Sequence, residues 1–188
     1  MIIQIRGTSG SGKSTLTKAV MSRYEEKQPN FVPKRKQPLS YLLKKQGAAP
    51  LFVVGHYETA CGGSDTVKTL DQIFGMVKEA HDAGYDVLFE GMLLCSDTKR
   101  AAALSEEVKK QNYLAISLNT PIETCISNIG KRREAKGNDK EVNPANTIKR
   151  YEYEQKQIKK LEAAGVDIHH ISYDDALTLI KEKLSCTQ

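Results

Sequence analysis

The sequence predicts an α/β fold of three layers, a parallel sheet covered by helices on both faces. Three observations predict it. Short apolar runs alternate with longer stretches of helical spacing, the pattern of strands joined by helical crossovers. The first apolar run, Ile2–Arg6, passes straight into a glycine-rich loop that opens a helix. No repeat and no linker divides the 188 residues, so one domain over 1–188 is expected.

Taken in order, Ile2–Arg6 reads as a strand and Lys13 to about Glu26 as a helix. Residues 27–50 form a basic excursion, with four prolines from 29 onward, expected to be irregular or a hairpin with Ser40–Lys44 extended. Leu51–Gly55 reads as the second strand. Thr66–Ala83 reads as a helix, its apolar face set by Val67, Leu70, Ile73, Phe74 and Val77 and its end by Gly84. Asp86–Glu90 and Asn112–Leu118 are the third and fourth strands. Pro121 opens a helix to about Lys136, broken by Gly137-Asn138-Asp139. Asn143-Pro144 starts a long charged helix that Gly165 ends. Val166–Ile171 is the fifth strand, and Asp174–Leu184 closes the fold.

Composition narrows the class. With 39% hydrophobic and 27% charged residues the chain is a folded globular protein rather than a disordered one. No apolar run is long enough to span a bilayer, so no membrane partner is expected. Met1-Ile-Ile-Gln-Ile leads directly into the glycine-rich loop, which leaves no room for a secretory leader. Cys61, Cys95, Cys125 and Cys186 form neither a close pair nor a metal-ligand spacing, and read as reduced thiols in the cytoplasm. Nothing in the sequence fixes an oligomeric state.

The net charge of +5 is concentrated. Lys27, Lys34, Arg35, Lys36, Lys44 and Lys45 fall within residues 27–45 with no acid among them, so the rest of the chain is slightly acidic. Such a run can be a solvated loop face. Its confinement to one segment, beside Phe31 and Tyr41, also suits a phosphate-rich polymer, with Lys34, Arg35 and Lys36 as candidate contacts.

The segment Gly7-Thr8-Ser9-Gly10-Ser11-Gly12-Lys13-Ser14 fits G-x-x-x-x-G-K-[ST] at every fixed position. The glycines let the backbone turn tightly and aim N–H groups at phosphate oxygens. Lys13 supplies a cation for the β- and γ-phosphates of ATP. Ser14 supplies a hydroxyl for Mg²⁺, and Thr15 continues the cradle into the helix. The positive end of that helix adds to the site. The loop sits between an expected strand and an expected helix, which is the context the motif requires.

The chain lacks the Asn-Lys-x-Asp reader of guanine nucleotides, and no strand ends in paired acids. Instead the third strand ends in Glu90-Gly91, placing a carboxylate where it can hold Mg²⁺ or its waters, with Gly91 allowing a close approach. Lys131-Arg132-Arg133 and Lys149-Arg150 flank a polar stretch, so residues 131–150 are expected to form a lid. Arginines on a closing lid neutralise charge on the transferring phosphoryl group and exclude water. Arg132, Arg133 and Arg150 are the candidates.

The strand Leu114-Ala-Ile-Ser-Leu followed by Asn119-Thr-Pro-Ile-Glu-Thr-Cys-Ile-Ser-Asn-Ile-Gly-Lys-Arg-Arg resembles the matching stretch of small P-loop kinases, polynucleotide kinase and its relatives. The resemblance runs from Met1 to about Leu184, with the phosphate loop and lid block as its specific parts. It implies the P-loop NTPase fold, five parallel strands in the order 2-3-1-4-5, and adenine held between the lid and the loop after strand five. It also implies a catalytic aspartate after the second strand, for which Asp65 is the nearest match.

Beyond that strand lies His56-Tyr57-Glu58-Thr59-Ala60-Cys61-Gly62-Gly63-Ser64-Asp65, where ligands of such sheets bind. Asp65 is equally suited to cap the helix beginning at Thr66. Glu58 is the reserve base, and Tyr57 has a ring that could stack on a nucleobase. His56 reads as structural, as does the pair His169-His170 on an expected buried strand. With Gly-Gly before Ser-Asp, the stretch also resembles bacteriophage kinases that phosphorylate 5-hydroxymethyluridine within DNA. That resemblance gives the basic excursion a role and requires the target base to leave the stack. The expected function is therefore ATP- and Mg²⁺-dependent phosphoryl transfer to a hydroxyl, with 5-hydroxymethyluridine in DNA as the favoured acceptor. The alternatives are a free nucleoside or nucleotide kinase, a polynucleotide 5′-hydroxyl kinase, and a nucleotide-gated DNA-binding regulator without catalysis.

Overall fold

Strand β1 (Ile2–Arg6) is buried along its whole length, and the other elements are arranged about it. The structure, a computed structural model, describes residues 1–59, 62–138 and 140–185. Helix α1 (Lys13–Met21) follows β1 across the glycine-rich loop, then the strands β2 (Glu26–Asn30), β3 (Ser40–Lys44) and β4 (Leu51–Val54). Helix α2 (Leu70–Asp82), β5 (Asp86–Glu90), α3 (Thr98–Glu107) and β6 (Tyr113–Leu118) come next. Helices α4 (Ile122–Glu134) and α5 (Pro144–Ala163), strand β7 (Ile168–Ile171) and helix α6 (Tyr173–Ser185) complete the chain.

One mixed, mostly parallel sheet runs in the order β2-β3-β4-β5-β1-β6-β7. The architecture is α/β and compatible with a P-loop NTPase-like fold. The five strands from β4 to β7 in that order are parallel, and in chain order they read 2-3-1-4-5. The sheet has seven strands, however, not five. The basic excursion supplies the other two, an antiparallel pair laid on the edge of β4. β3 buries Tyr41 and Leu43, whereas all of β2 is exposed and carries Pro29, whose missing N–H an edge strand tolerates.

Alternation along β1 divides the core in two. Ile2 packs with Val87, Phe89 and Tyr113 of the sheet under α2, α3 and α5, through Ile73, Phe74, Val77, Leu104 and Leu161. Ile3 and Ile5 face the other way, onto Leu16 and Val20 of α1 and Ile180 and Leu184 of α6. A strand buried on both faces has no polar side, which is why β1 reads as a nearly continuous apolar run.

Several boundaries move. The second helix starts at Leu70 rather than Thr66, because Thr69 caps it by accepting the Gln72 N–H at 3.1 Å. Asp65 therefore lies in a separate 3₁₀ turn, Ser64–Thr66, and is not the cap of α2. Helix α3 was not expected; Asp97 caps it through the Arg100 N–H at 3.0 Å. Pro121 stands at the cap position of α4, one place before its first residue. Asn143 caps α5 by accepting from Ala145 N, with Pro144 in the first turn. Strand β7 begins at Ile168 and is an edge strand, so His169 is half-buried and His170 exposed rather than both buried. Asp139, Cys61 and Cys186 lie outside the described residues, while Cys95 and Cys125 are buried free thiols.

Candidate functional site

The loop between β1 and α1 requires its glycines. Gly10 and Gly12 have φ of 81° and 99°, a region that side chains with a Cβ rarely adopt. A Cβ on Gly10 would also collide with the Cys125 carbonyl of α4. Neighbouring donors fix the loop's carbonyls: Asn128 Nδ2 donates to Gly10 O at 2.9 Å and the Thr120 hydroxyl to Ser11 O at 2.8 Å. Lys13 is 8% exposed, and its ammonium donates to Gly7 O at 2.8 Å and Thr8 O at 3.0 Å. A full positive charge is thereby held over the centre of the loop.

The carboxylate expected at the end of the third parallel strand stands beside it. Glu90 is 2% exposed and accepts the Ser14 hydroxyl at 2.7 Å. Burial pushes its carboxyl above the usual carboxylate range, against the opposing pull of Lys13 and the Ser14 hydrogen bond. Gly63, at φ 83°, passes so close that a Cβ there would strike the Glu90 carboxylate. The hydroxyl of Ser64 donates to Glu90 O at 2.5 Å. Gly91 does allow a close approach, but by the Ser64–Asp65 turn: a Cβ at Gly91 would meet Asp65 Oδ1 at 2.8 Å.

The glycine-rich loop and the Ser64–Thr66 turn share one cavity of ≈ 940 Å³. Ser9 to Thr15 form one wall, Asp65, Glu90 and Met92 a second, and Asn128 and Arg132 of α4 a third, with Tyr173 at the side of Gly12. Asp65 accepts the Met92 N–H at 2.7 Å and the Leu93 N–H at 3.0 Å, one on each carboxylate oxygen. It therefore both lines the cavity and ties down the loop after β5. Ser11 Oγ, also in the wall, is buried and has no hydrogen-bond partner among the described residues.

No family model matches the sequence. Two curated relatives do. A 5-hmdU DNA kinase of Pseudomonas phage PaMx11 is 45% identical over 184 residues, 97% of this chain and 96% of the relative. The chain belongs to the 5-hmdU DNA kinase family. A second relative, the 5-hmdU DNA kinase of Delftia phage PhiW-14, is 30% identical over 178 residues, 88% of this chain and 65% of its own length.

In this member of the 5-hmdU DNA kinase family, some expected site residues do not reach the cavity. Tyr57 is 5% exposed, with its hydroxyl 3.4 Å from Val54 O, so its ring cannot stack on a base. Glu58 lies outside, accepting from Tyr41 Oη at 2.6 Å and Lys27 Nζ at 3.4 Å. The Tyr41 hydrogen bond, with lesser help from Lys27, holds Glu58 below the usual carboxylate range. Arg133 donates to the carbonyls of Lys140 and Glu141, at 3.2 and 2.7 Å, instead of facing the cavity. Arg150 reaches Met92 Sδ at 2.7 Å, on the cavity wall. Lys34 and Lys36 are exposed, whereas Arg35 binds Thr66 through O and Oγ1 at 2.9 and 3.0 Å.

The helical repeat explains the split between Arg132 and Arg133. Thr124, Asn128 and Arg132 recur at i, i+4, i+8 and share the cavity face of α4, whereas Arg133 is turned about 100° away. That signal was present in the sequence. The pairing of Arg6 with Glu154 was not. Arg6 is wholly buried at the end of β1, and its Nε donates to Glu154 Oε1 of α5 at 3.0 Å. Cys95 is packed beneath the loop, its Sγ 3.5 Å from Gly7 N, where burial pushes the thiol up to about 11 and leaves it unreactive.

His56 is 5% exposed, with Nδ1 unpartnered among the described residues. Burial first, and then the Arg35 charge, lower its pKa below the ordinary value of about 6.5. It is therefore buried neutral, and the stability this confers is present above about pH 6.5 and lost as pH falls through the lowered value. The urea midpoint should drop between pH 7 and pH 5, and less steeply in His56→Gln. His81, shifted in the same direction by burial, retains part of the slope. An unchanged slope in His56→Gln would remove His56 from this role.

Proposed function

We propose that this chain transfers the γ-phosphate of ATP to the hydroxymethyl oxygen of 5-hydroxymethyluridine in DNA. One observation carries the reading: in a chain 45% identical to a phage 5-hmdU DNA kinase, Lys13, Ser14, Asp65 and Arg132 open onto the same cavity. We read residues 1–188 as one catalytic domain, with 131–150 as its lid and the host cytoplasm as its place of work. No helix among the described residues is long and apolar enough to cross a membrane.

The residues fit the groups the reaction needs. The buried hydroxyl of Ser11 suits a phosphate oxygen. Ser14 Oγ and the Glu90 carboxylate, 2.7 Å apart, form a hard oxygen pair suited to Mg²⁺ and its waters. Among the described residues no cluster of three carboxylate, histidine or cysteine side chains builds a closed metal cage. When bound, Mg²⁺ neutralises charge on the β- and γ-phosphates.

Gly7 to Thr15 hold the phosphates, and Lys13 and Arg132 face the charge that spreads over the γ-phosphoryl oxygens. Asp65 orients the acceptor hydroxyl and takes its proton, using lone pairs left free by Met92 N and Leu93 N. The acceptor oxygen bonds to the γ-phosphorus as the bond to the ADP oxygen breaks. Arg133, latched to Lys140 and Glu141, shapes the lid, and Arg150 closes it at Met92. Tyr173, beside Gly12 at the cavity wall, is the side chain we assign to adenine.

The test is transfer of ³²P from γ-labelled ATP, with Mg²⁺, to a panel of acceptors. Label is expected on duplex DNA containing 5-hydroxymethyluracil and not on ordinary DNA with free 5′-hydroxyls or on nucleosides and their monophosphates. Label on 5′ ends makes the chain a polynucleotide kinase, and label on free nucleosides a small-molecule kinase. Binding of ATP with no transfer to any acceptor supports a nucleotide-gated regulator instead. Transfer to the modified duplex should also fall steeply with added salt, as contacts to phosphates do.

A further inference from the structure

Phe31 follows the last residue of β2 and is 56% exposed, a large aromatic ring presented to solvent within the basic run of residues 27–45. It lines a shallow cleft of ≈ 470 Å³ with Pro29, Pro38 and Tyr41, rimmed by Lys27 and Lys36. Lys27 lies 4.3 Å over the Tyr41 ring and 3.4 Å from Glu58, which stiffens the floor of the cleft. Lys34 and Lys36 have no ionic partner among the described residues.

The loop that carries Phe31 is fixed in place. Leu39 N donates to Asn30 O at 2.7 Å, closing the loop at its base. Arg35 spans it, donating to Gln37 O at 3.0 Å and to Thr66 O and Oγ1. Thr66 lines the cavity that holds Lys13 and Asp65. An exposed aromatic ring is thus tied through one arginine to the wall of the catalytic cavity. Lys34 holds a left-handed backbone, φ 67°, at the turn of this loop, a conformation that residues other than glycine adopt at a cost.

The assignment builds on the proposed reaction. A hydroxymethyl group on a paired base cannot reach the γ-phosphate inside a duplex, so the nucleotide has to leave the stack and a gap opens behind it. Proteins that hold DNA in that state fill the gap with an apolar or aromatic wedge beside cations that grip the backbone. We propose that Phe31 is that wedge: it inserts into the duplex where the target nucleotide leaves, while Lys34 and Lys36 hold the flanking phosphates. A duplex fits the charge around Phe31, where Lys27, Lys34, Arg35 and Lys36 fall within ten residues and Glu58 is the acid lining the cleft.

The experiment compares Phe31→Ala and Phe31→Trp on the same modified strand, either paired or single-stranded. Phe31→Ala should lower kcat/KM on the duplex by about tenfold or more, and leave the single strand at the wild-type rate. Phe31→Trp should restore the duplex rate. Equal losses on both substrates, or no loss on the duplex, overturn the wedge.

A second readout needs no phosphoryl transfer. With 2-aminopurine beside the target in the duplex, wild-type protein with a non-hydrolysable ATP analogue should raise its fluorescence, and Phe31→Ala should not. That difference supports the wedge even where wild type transfers no phosphate, an outcome that defeats only the kinase reading. A rise of equal size in Phe31→Ala overturns the wedge whatever the transfer assay shows.

Discussion

Lys13→Ala is expected to abolish phosphoryl transfer, by about a thousandfold or more, while the protein stays folded. The ammonium belongs to a side chain only 8% exposed, 2.8 Å from Gly7 O and 3.0 Å from Thr8 O, where charge is less screened than in bulk water. Charge spreading over the γ-phosphoryl oxygens in the transition state has to be met there by a fixed cation. The substitution leaves two loop carbonyls without their donor, at about 1 kcal/mol each or less where water enters. That is small beside the stability of a domain, so the loss falls on catalysis. Lys13→Arg is expected to be no rescue, because a planar guanidinium fork does not reproduce a compact point charge donating to the two carbonyls. The measurement is the initial rate of ³²P transfer to the modified duplex, beside a thermal melt. Wild-type rates in Lys13→Ala would take the phosphate site away from this loop.

Glu90 responds to the same substitution. Lys13 opposes the rise that burial imposes on the Glu90 carboxyl, so its removal drives that group further toward the neutral form. A neutral carboxyl is a poor partner for a divalent cation. The two residues therefore act as a unit, and the rate losses of Lys13→Ala and Glu90→Gln are expected to add to less than their sum.

How much of this was legible in the sequence depends on how local the cause is. The tight glycine loop between β1 and α1 could be read because its geometry excludes side chains: Gly10 abuts the Cys125 carbonyl, and its φ forbids most replacements. Four of the five parallel strands could be read because burial on both faces leaves a nearly continuous apolar run; the fifth, β7, is an edge strand whose two histidines are not buried. Strand β2 could not, since Glu26 to Asn30 bury nothing and carry a proline, and only pairing with Ser40–Lys44 makes them a strand. Helix α3 is short and alanine-rich, and Ala101 and Leu104 are too few to mark a period. That Asp65 lines the cavity could be expected from its position, but its bonds to Met92 N and Leu93 N join segments 27 residues or more apart. No local pattern announces such a contact. The same holds for Arg35, read as a phosphate contact from its charged neighbours and in fact spent on Thr66.

Arg6 and Glu154 are the extreme case, 148 residues apart and each unremarkable alone, one at the end of an apolar strand and one in a charged helix. Breaking this pair should have the largest effect on stability of any single substitution outside the core. Arg6 is wholly buried and donates to Gln4 Oε1, Leu94 O and Cys95 O as well as to both oxygens of Glu154. Glu154→Ala leaves a guanidinium that cannot lose its proton without its counter-charge, and should cost about 3–5 kcal/mol at pH 8.

Arg6→Met differs, because a carboxyl can discharge. Burial already raises the Glu154 pKa and Arg6 opposes the rise, so Arg6→Met lifts it further. A raised carboxylate contributes its stability below its unfolded value and loses it as pH climbs through the folded one. The deficit of Arg6→Met against wild type should therefore be large at pH 8 and smaller at pH 5, while that of Glu154→Ala should not shrink, because the raised Glu154 of wild type itself gains stability as pH falls. Arg6→Met with Glu154→Leu removes both charges and should recover most of the stability. Urea unfolding of the four proteins at the two pH values decides it. A pH-independent deficit in Arg6→Met would mean that Glu154 stays charged without its partner. Since Arg6 directly precedes Gly7, the double variant also shows what the pair does for catalysis. A stable protein with slowed transfer identifies the ion pair as the strut that sets the phosphate loop on helix α5, and full activity identifies it as a matter of stability alone.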